Sequence, residues 1–262
     1  MIKLKKGNNN LAYNLYKGEK FFFPLIAAVL LDEQDGVVYA DNPDSPSQVY
    51  VEHCFGFSQL FGEIGIKFSQ QMEDYLLVGR GFHSEKVRLY APQVPDFLLK
   101  SNKKVSLSQR QRFTLNYKLF LNRKRTVLNK DENHIQLCDV GFEDVKLIED
   151  RFNVVNRFWR NPRDFIERSN PCLVFYNNEP ASICYAAATA DGNAEIDVLT
   201  LPEFRKLGLA GYVLTRFIEK CQSIGIRPLW DCFTNNAASM ALANSMGFIP
   251  WNSPYSFFTI NK

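Results

Sequence analysis

Residues 194–210, AEIDVLTLPEFRKLGLA, constrain this chain more than any other stretch. They read as a strand, a turn containing Pro202, and a loop Arg205-x-x-Gly208-x-Ala210 that opens directly into a helix. That layout brings a strand end and a helix start to one corner and presents a row of backbone N–H groups there. The apolar residues Leu207, Ala210, Gly211, Leu214, Phe217, Ile218 and Cys221 recur at helical spacing and set the helix start near Leu207. Thr215, Arg216, Glu219, Lys220 and Gln222 fall on the other face, and Gly225 provides the C-terminal stop. Gly208 and Gly211 then occupy the first turn, where helix propensity disfavours them. Two readings account for them. One is close approach of a phosphate to the backbone, aided by the helix dipole; the other is tight packing of the helix on a sheet.

The neighbours of this segment form a regular series. A strand at 134–139 precedes helices at 143–151, 154–159 and 162–168. Strands at 172–176 and 181–190 flank the turn Asn177-Asn178-Glu179-Pro180, and Asp191-Gly192 is a hairpin signal leading into the strand 195–200. These three strands form an antiparallel meander. The strand 226–233 follows a crossover helix and is therefore expected parallel to 195–200. Asn236 caps a second helix, 237–246, whose buried face is Ser239, Leu242, Ala243 and Met246; Gly247 ends it, and 248–251 and 256–260 are the closing strands.

The N-terminal half is less explicit. A helix at 10–16, an apolar core segment at 21–31 and strands at 36–40, 49–60, 76–78 and 87–90 make a mixed α/β unit, with a Pro/Asp/Ser loop at 41–47. Residues 1–130 carry 19 Lys/Arg against 12 Asp/Glu, whereas 131–262 carry 12 against 16. That asymmetry and the polar break NKDEN at 129–133 divide the chain into an N-terminal domain, 1–130, and a C-terminal domain, 131–262. Residues 100–130 hold ten Lys/Arg and no acid. The simpler reading is a strand at 112–117 between solvated basic loops; the sharper one is a contact for RNA or a phosphate-bearing substrate, with Phe113, Tyr117 and Phe120 interleaved.

Composition narrows the remaining classes. A net charge of only +3 does not indicate a polyanion-binding protein, so nucleic acid is not an expected partner. The longest apolar run, 21–31, is too short to span a bilayer and contains Pro24, so no membrane association is expected. The first twenty residues lack a secretion signal, and the six cysteines show no CxxC spacing, which reads as reduced thiols in the cytoplasm. The three histidines are isolated, so no metal site is expected. GxSxG, HExxH and phosphate-loop motifs are absent.

Taken together, residues 134–262 resemble the GNAT acyl-CoA-dependent N-acetyltransferases. The order of elements agrees, Arg205-Lys206-Leu207-Gly208-Leu209-Ala210 meets the family's Arg/Gln-x-x-Gly-x-Gly/Ala signature, and Pro202-Glu203-Phe204 stands just before it. Asn236, Ser239, Gly247 and Phe248 meet the later Asn-x-x-Ser…Gly-Phe pattern. The segment 23–47 is similar to the extra domain of a bacterial two-domain subgroup, in which that domain can itself be a degenerate GNAT-like unit. The resemblance implies an α/β (α+β) fold with a mixed, splayed sheet in the C-terminal part and a smaller α/β domain before it. It implies acetyl-CoA as donor substrate and an amine acceptor of unspecified identity, bound between the C-terminal sheet and the N-terminal domain, 1–130, which would then be the acceptor-side domain; the assembly stays open between monomer and homodimer. Backbone amides of Leu207, Gly208, Leu209, Ala210 and Gly211, with Arg205 and Lys206 beside them, would hold the pyrophosphate. Leu199 and Thr200 would face the pantetheine arm and the acetyl carbonyl, and Asn236 and Ser239 would touch the same ligand. Two positions depart from the pattern: Lys206-Leu207 replaces a common Gly-Lys or Gly-Arg, and Ala243 stands where many members have a Tyr that protonates the leaving thiolate. Tyr185, Cys232 and Tyr255 are the other groups considered for that proton.

Transfer to an amine needs a proton acceptor. Glu195 and Asp197 lie at i and i+2 and so share a strand face, and Asp231 on the neighbouring strand is the third candidate. The resemblance favours Glu195 acting through water, as in the histone-acetylating branch. The expected activity is direct acetyl transfer in a ternary complex; the alternative is a module that binds acyl-CoA without turnover, which Ala243 keeps open.

Overall fold

The computed structural model describes residues 1–100, 104–128 and 134–262. They form two compact units, one of Met1–Gln109 with Tyr255–Lys262 and the other of Arg110–Pro254. The break expected at 130/131 lies outside the described residues. The observed division falls earlier because the basic segment is itself structural: residues 110–115 pair in the sheet of the second unit.

In the first unit, β1 (Ile2–Lys3), α1 (Asn10–Tyr16) and α2 (Pro24–Leu30) precede β2 (Gly36–Ala40), β3 (Gln48–His53) and β4 (Phe57–Gly62). Every residue of α2 is buried, so the apolar run is core helix, started by Pro24 at its first turn. The single strand expected over 49–60 is a hairpin turned at Gly56, whose φ of +82° and 2.2 Å approach of an added Cβ to Lys86 O require glycine. α3 (Ile66–Glu73) runs on into a π-helical turn (Asp74–Val78), where a strand was expected. Phe68, Met72 and Leu76 repeat every four residues and are buried together, a helical period that outweighs the short Leu-Leu-Val run. β5 (Lys86–Tyr90), α4 (Asp96–Leu99) and β6 (Val105–Leu115) follow. β4 and β5 are parallel and the preceding pairs antiparallel.

The second unit begins inside β6 and continues with α5 (Tyr117–Leu128), β7 (Ile135–Asp139), α6 (Val145–Phe152), α7 (Val155–Phe158), α8 (Pro162–Ser169), β8 (Cys172–Tyr176), β9 (Glu179–Ala190) and β10 (Asn193–Thr200). α5 occupies part of what was expected as a basic loop. β7 to β10 form the meander; its two tight turns put Asn177, Asn178, Asp191 and Gly192 at positive φ, the geometry of type I′ hairpins. α9 (Leu209–Ser223) crosses to β11 (Arg227–Phe233), which is parallel to β10 and antiparallel to β6. The core joins Phe113, Phe120, Tyr212, Leu214, Phe217, Trp230 and Phe248.

α9 begins at Leu209 rather than near Leu207: Gly208 is its N-cap at φ +83°, Leu207 is exposed, and Gly211 alone of the two glycines lies within the first turn. Thr215, expected outside, is buried and donates its hydroxyl to Gly211 O at 2.8 Å, which satisfies it without solvent. α10 (Ala237–Ser245) is capped by Asn236, whose Oδ1 accepts from Ser239 N at 3.1 Å. The closing strands do not pair with each other. β12 (Phe248–Pro250) pairs with β6, and β13 (Tyr255–Asn261) pairs with β5 in the first unit. Pro250 and Pro254, with Asn252 at φ +60° between them, break the run and leave no regular hairpin turn.

Candidate active site

β10 and β11 are paired only where residues 193–195 meet 227–229. Beyond Glu195 and Leu229 the strands continue unpaired with each other, and a cleft of about 850 Å³ opens between 196–200 and 230–233. This is the splay the resemblance implied. Leu201 donates its N–H to Ala181 O on β9, so by strand alternation the N–H groups of Val198 and Thr200 face the open edge while that of Leu199 faces β9. Leu199 and Thr200 both line the cleft; the Thr200 hydroxyl is held by Ser182 Oγ at 2.8 Å, which also donates to Leu199 O at 3.1 Å.

The far end of the cleft is the loop before α9. Arg205, Lys206, Gly208, Leu209 and Ala210 line it, whereas Leu207 and Gly211 do not, and Gly211 N–H is donated to Gly208 O at 2.9 Å. Leu209 and Ala210 are the first two residues of a fifteen-residue helix, so their N–H groups have no carbonyl within the helix to bond. With two cationic side chains beside them they make an anion-binding corner. Lys206 takes φ +67°, the left-handed conformation that the glycine common at this place would adopt freely. Asn236 and Ser239 form the opposite wall. Ser239 Oγ also accepts from Trp230 Nε1 at 3.2 Å.

The three candidate carboxylates occupy the sheet face away from α9 and α10. Trp230 and Cys232 contact α10 through Ser239 and Met240, so Asp231 between them points the other way. Ile196 and Val198 pack into the α9 core, so Asp197 does likewise. Their settings differ. Glu195 is buried and does not line the cleft. Asp231 lines it, but both its oxygens are held by guanidinium groups: Arg110 Nε reaches Oδ1 and Arg112 Nε reaches Oδ2, each at 2.9 Å, with the Asp231 side chain 1% exposed. Asp197 lines the cleft with one oxygen engaged. Its Oδ2 accepts from Tyr185 OH at 2.5 Å and pairs with Arg157 Nη1 at 3.3 Å, and the side chain is 30% exposed. Burial, and then the adjacent Asp197 charge, push the Tyr185 phenol well above its ordinary range, so it stays protonated and remains the donor.

The groups considered for the thiolate proton separate as well. Ala243 is fully buried in the core; Cys232 lines the cleft with Sγ 3.5 Å from Met240 Sδ; Tyr255 packs on Phe21 and Tyr90 in the first unit. Sequence reasoning missed Arg110, Arg112 and Arg157. The i, i+2 spacing of the first two on a strand was the available signal; for Arg157, on a four-residue helix, there was none. Among the described residues no group of three or more His, Cys, Asp or Glu is placed to hold a metal ion, and no helix is long and apolar enough to cross a membrane.

Residues 19–258 match the family model for GNAT acetyltransferase. The chain belongs to the GNAT acetyltransferase family. It is 28% identical over 237 residues, 87% of each chain, to YdfB, an uncharacterized N-acetyltransferase of Bacillus subtilis. It shares its fold with a GCN5-related N-acetyltransferase-like protein of Streptococcus suis, with a TM-score of 0.71 at 18% identity over 97% of this chain and 98% of that one. A tandem GNAT protein of the clavulanic acid biosynthesis pathway matches at a TM-score of 0.64 and 11% identity, covering 99% and 97%. Membership is consistent with acyl transfer, and acetyl-CoA is the donor the family uses.

Proposed function

We propose that this protein transfers acetyl from acetyl-CoA directly to an amine, both substrates being bound at once. The observation that carries the reading is the cleft itself, which joins an anion-binding helix corner to a carboxylate across an unpaired strand edge. The pyrophosphate sits on the N–H groups of Leu209 and Ala210, with Arg205 and Lys206 beside it, and Asn236 and Ser239 flank the same ligand. The pantetheine arm enters between β10 and β11, and the N–H of Val198 or Thr200 bonds the thioester oxygen and stabilises the oxyanion as it forms.

Asp197 is the base. Its Oδ2 is fixed by Tyr185 and Arg157, which leaves Oδ1 to take a proton from the acceptor ammonium, directly or through one water. The amine nitrogen then attacks the carbonyl carbon, the C–N bond forms, the nitrogen gives up its second proton to water, the C–S bond breaks, and the thiolate takes its proton from water, because Ala243 brings no hydroxyl to it. Asp231, clamped by two guanidiniums, organises the cleft wall, and Glu195 supports the strand behind it. Asp197→Asn should lower kcat about 10²- to 10⁴-fold with acetyl-CoA affinity unchanged; unchanged turnover would remove Asp197 from this role. Exchange of label between acetyl-CoA and CoA without acceptor would sink the direct mechanism. Ala243 favours a second reading, acyl-CoA binding without turnover, which predicts calorimetric binding with no thiol release across amines.

A further inference from the structure

The acceptor side of the cleft carries both signs of charge. Asp197 contributes the carboxylate already described. Arg110, which also lines the cleft, contributes a guanidinium on the same sheet face, since it bonds Asp231 and lies in register with Phe233. Among its contacts are Nε to Asp231 Oδ1 at 2.9 Å, Nη2 to Asp231 O at 2.8 Å, and the cation held 4.8 Å from the Phe233 ring centroid. Its side chain is 11% exposed. An arginine held this way pays little further entropy on meeting a ligand, and its planar fork suits carboxylate or phosphate oxygens. The donor's phosphates have their own corner, at the start of α9 on the opposite face of the sheet. Arg110, paired with Asp231 and lining the cleft on the acceptor face, is therefore placed to meet an anionic group of the acceptor.

From this arrangement we propose that the acceptor is a primary amine that also bears an anionic group, its ammonium on Asp197 and its carboxylate or phosphate on Arg110. The proposal rests on the transferase reading above. It makes Arg110 a specificity residue that recognises a part of the acceptor remote from the reacting nitrogen.

The test is a set of matched amines offered to the full chain with acetyl-CoA: an α-amino acid and a ladder of ω-amino acids, the aminoalkyl phosphate of each length, and the uncharged amide of each acid. In each series kcat/KM should be at least about tenfold higher for one anionic form than for the amide, and the better of carboxylate and phosphate identifies the anion. Arg110→Lys keeps the charge beside Asp231 but loses the fork. It should lower the ratio of kcat/KM for the anionic amine to kcat/KM for its amide about 10- to 100-fold, and leave CoA affinity by calorimetry unchanged. Equal use of acid and amide, an equal loss on both in Arg110→Lys, or weakened CoA binding in that variant would overturn the proposal while leaving the transferase reading standing. CoA binding without acetyl transfer to any of these amines would contradict both.

Discussion

At the residue scale, the account depends on how neighbours divide similar side chains into different roles. Three carboxylates are candidates in the sequence, Glu195 favoured by the resemblance, and two of them share a strand face at i and i+2 as expected. What separates them is long-range: β6 brings Arg110 and Arg112 to Asp231, and α7 brings Arg157 to Asp197. Period-2 alternation reveals which face a residue occupies, but not which residues from distant strands will meet it there. Lys206 is a second case. The missing glycine was visible; that the position is left-handed was not. Lys206→Gly should raise stability by about 0.5–1 kcal/mol by relieving the positive φ, measured as a urea midpoint, and should weaken CoA binding modestly through the lost charge. His53 offers a pH test in the first unit. Its Nδ1 accepts from Phe55 N at 3.0 Å and Nε2 faces Gln34 Oε1 at 3.1 Å, and burial pulls its pKa down to about 4. The unfolded chain binds a proton below about pH 6.5 that the folded chain refuses until about pH 4. Its contribution is therefore intact above pH 6.5 and falls as pH drops through that window, by up to about 3 kcal/mol. His53→Gln should flatten that part of the urea stability profile; an unchanged slope would contradict the neutral, buried histidine.

At the element scale, the corner between β10 and α9 was the most legible part of the chain, because strand, turn, glycine and amphipathic helix all reported on the same geometry. The helix start was misjudged by two residues because Leu207 continues the apolar period, although Gly208 at positive φ cannot lie inside a helix. That conformation also sets a prediction. Gly208→Val forces a β-branched residue into the left-handed region beside the corner proposed to hold the pyrophosphate, so CoA affinity should fall by tenfold or more in calorimetry while the far-UV spectrum is retained. The 76–78 segment was misread because a three-residue apolar run fits either period. Its membership of a helix is decided by Met72 and Phe68, one and two turns earlier.

At the scale of the whole molecule, the meander, the parallel crossover and the core of the second unit were readable from periodicity and turn chemistry. The destination of the last strand was not, since local pattern marks 256–260 as a strand without naming its partner. It joins the first unit, where Phe257, Phe258 and Ile260 are buried. Phe258→Ala should therefore destabilise the first unit by about 3–5 kcal/mol, seen as faster proteolysis within residues 1–109 than in the unaltered chain. The functional reading turns on the second unit, and the measurement that tests it most directly is steady-state thiol release with acetyl-CoA and an amine, compared between the natural chain and Asp197→Asn at matched acetyl-CoA saturation. Intersecting double-reciprocal lines for the natural chain, and a fall in kcat of about 10²- to 10⁴-fold in the variant with unaltered acetyl-CoA binding, are the predicted result. Parallel lines, or a variant that turns over as fast as the natural chain, would contradict it.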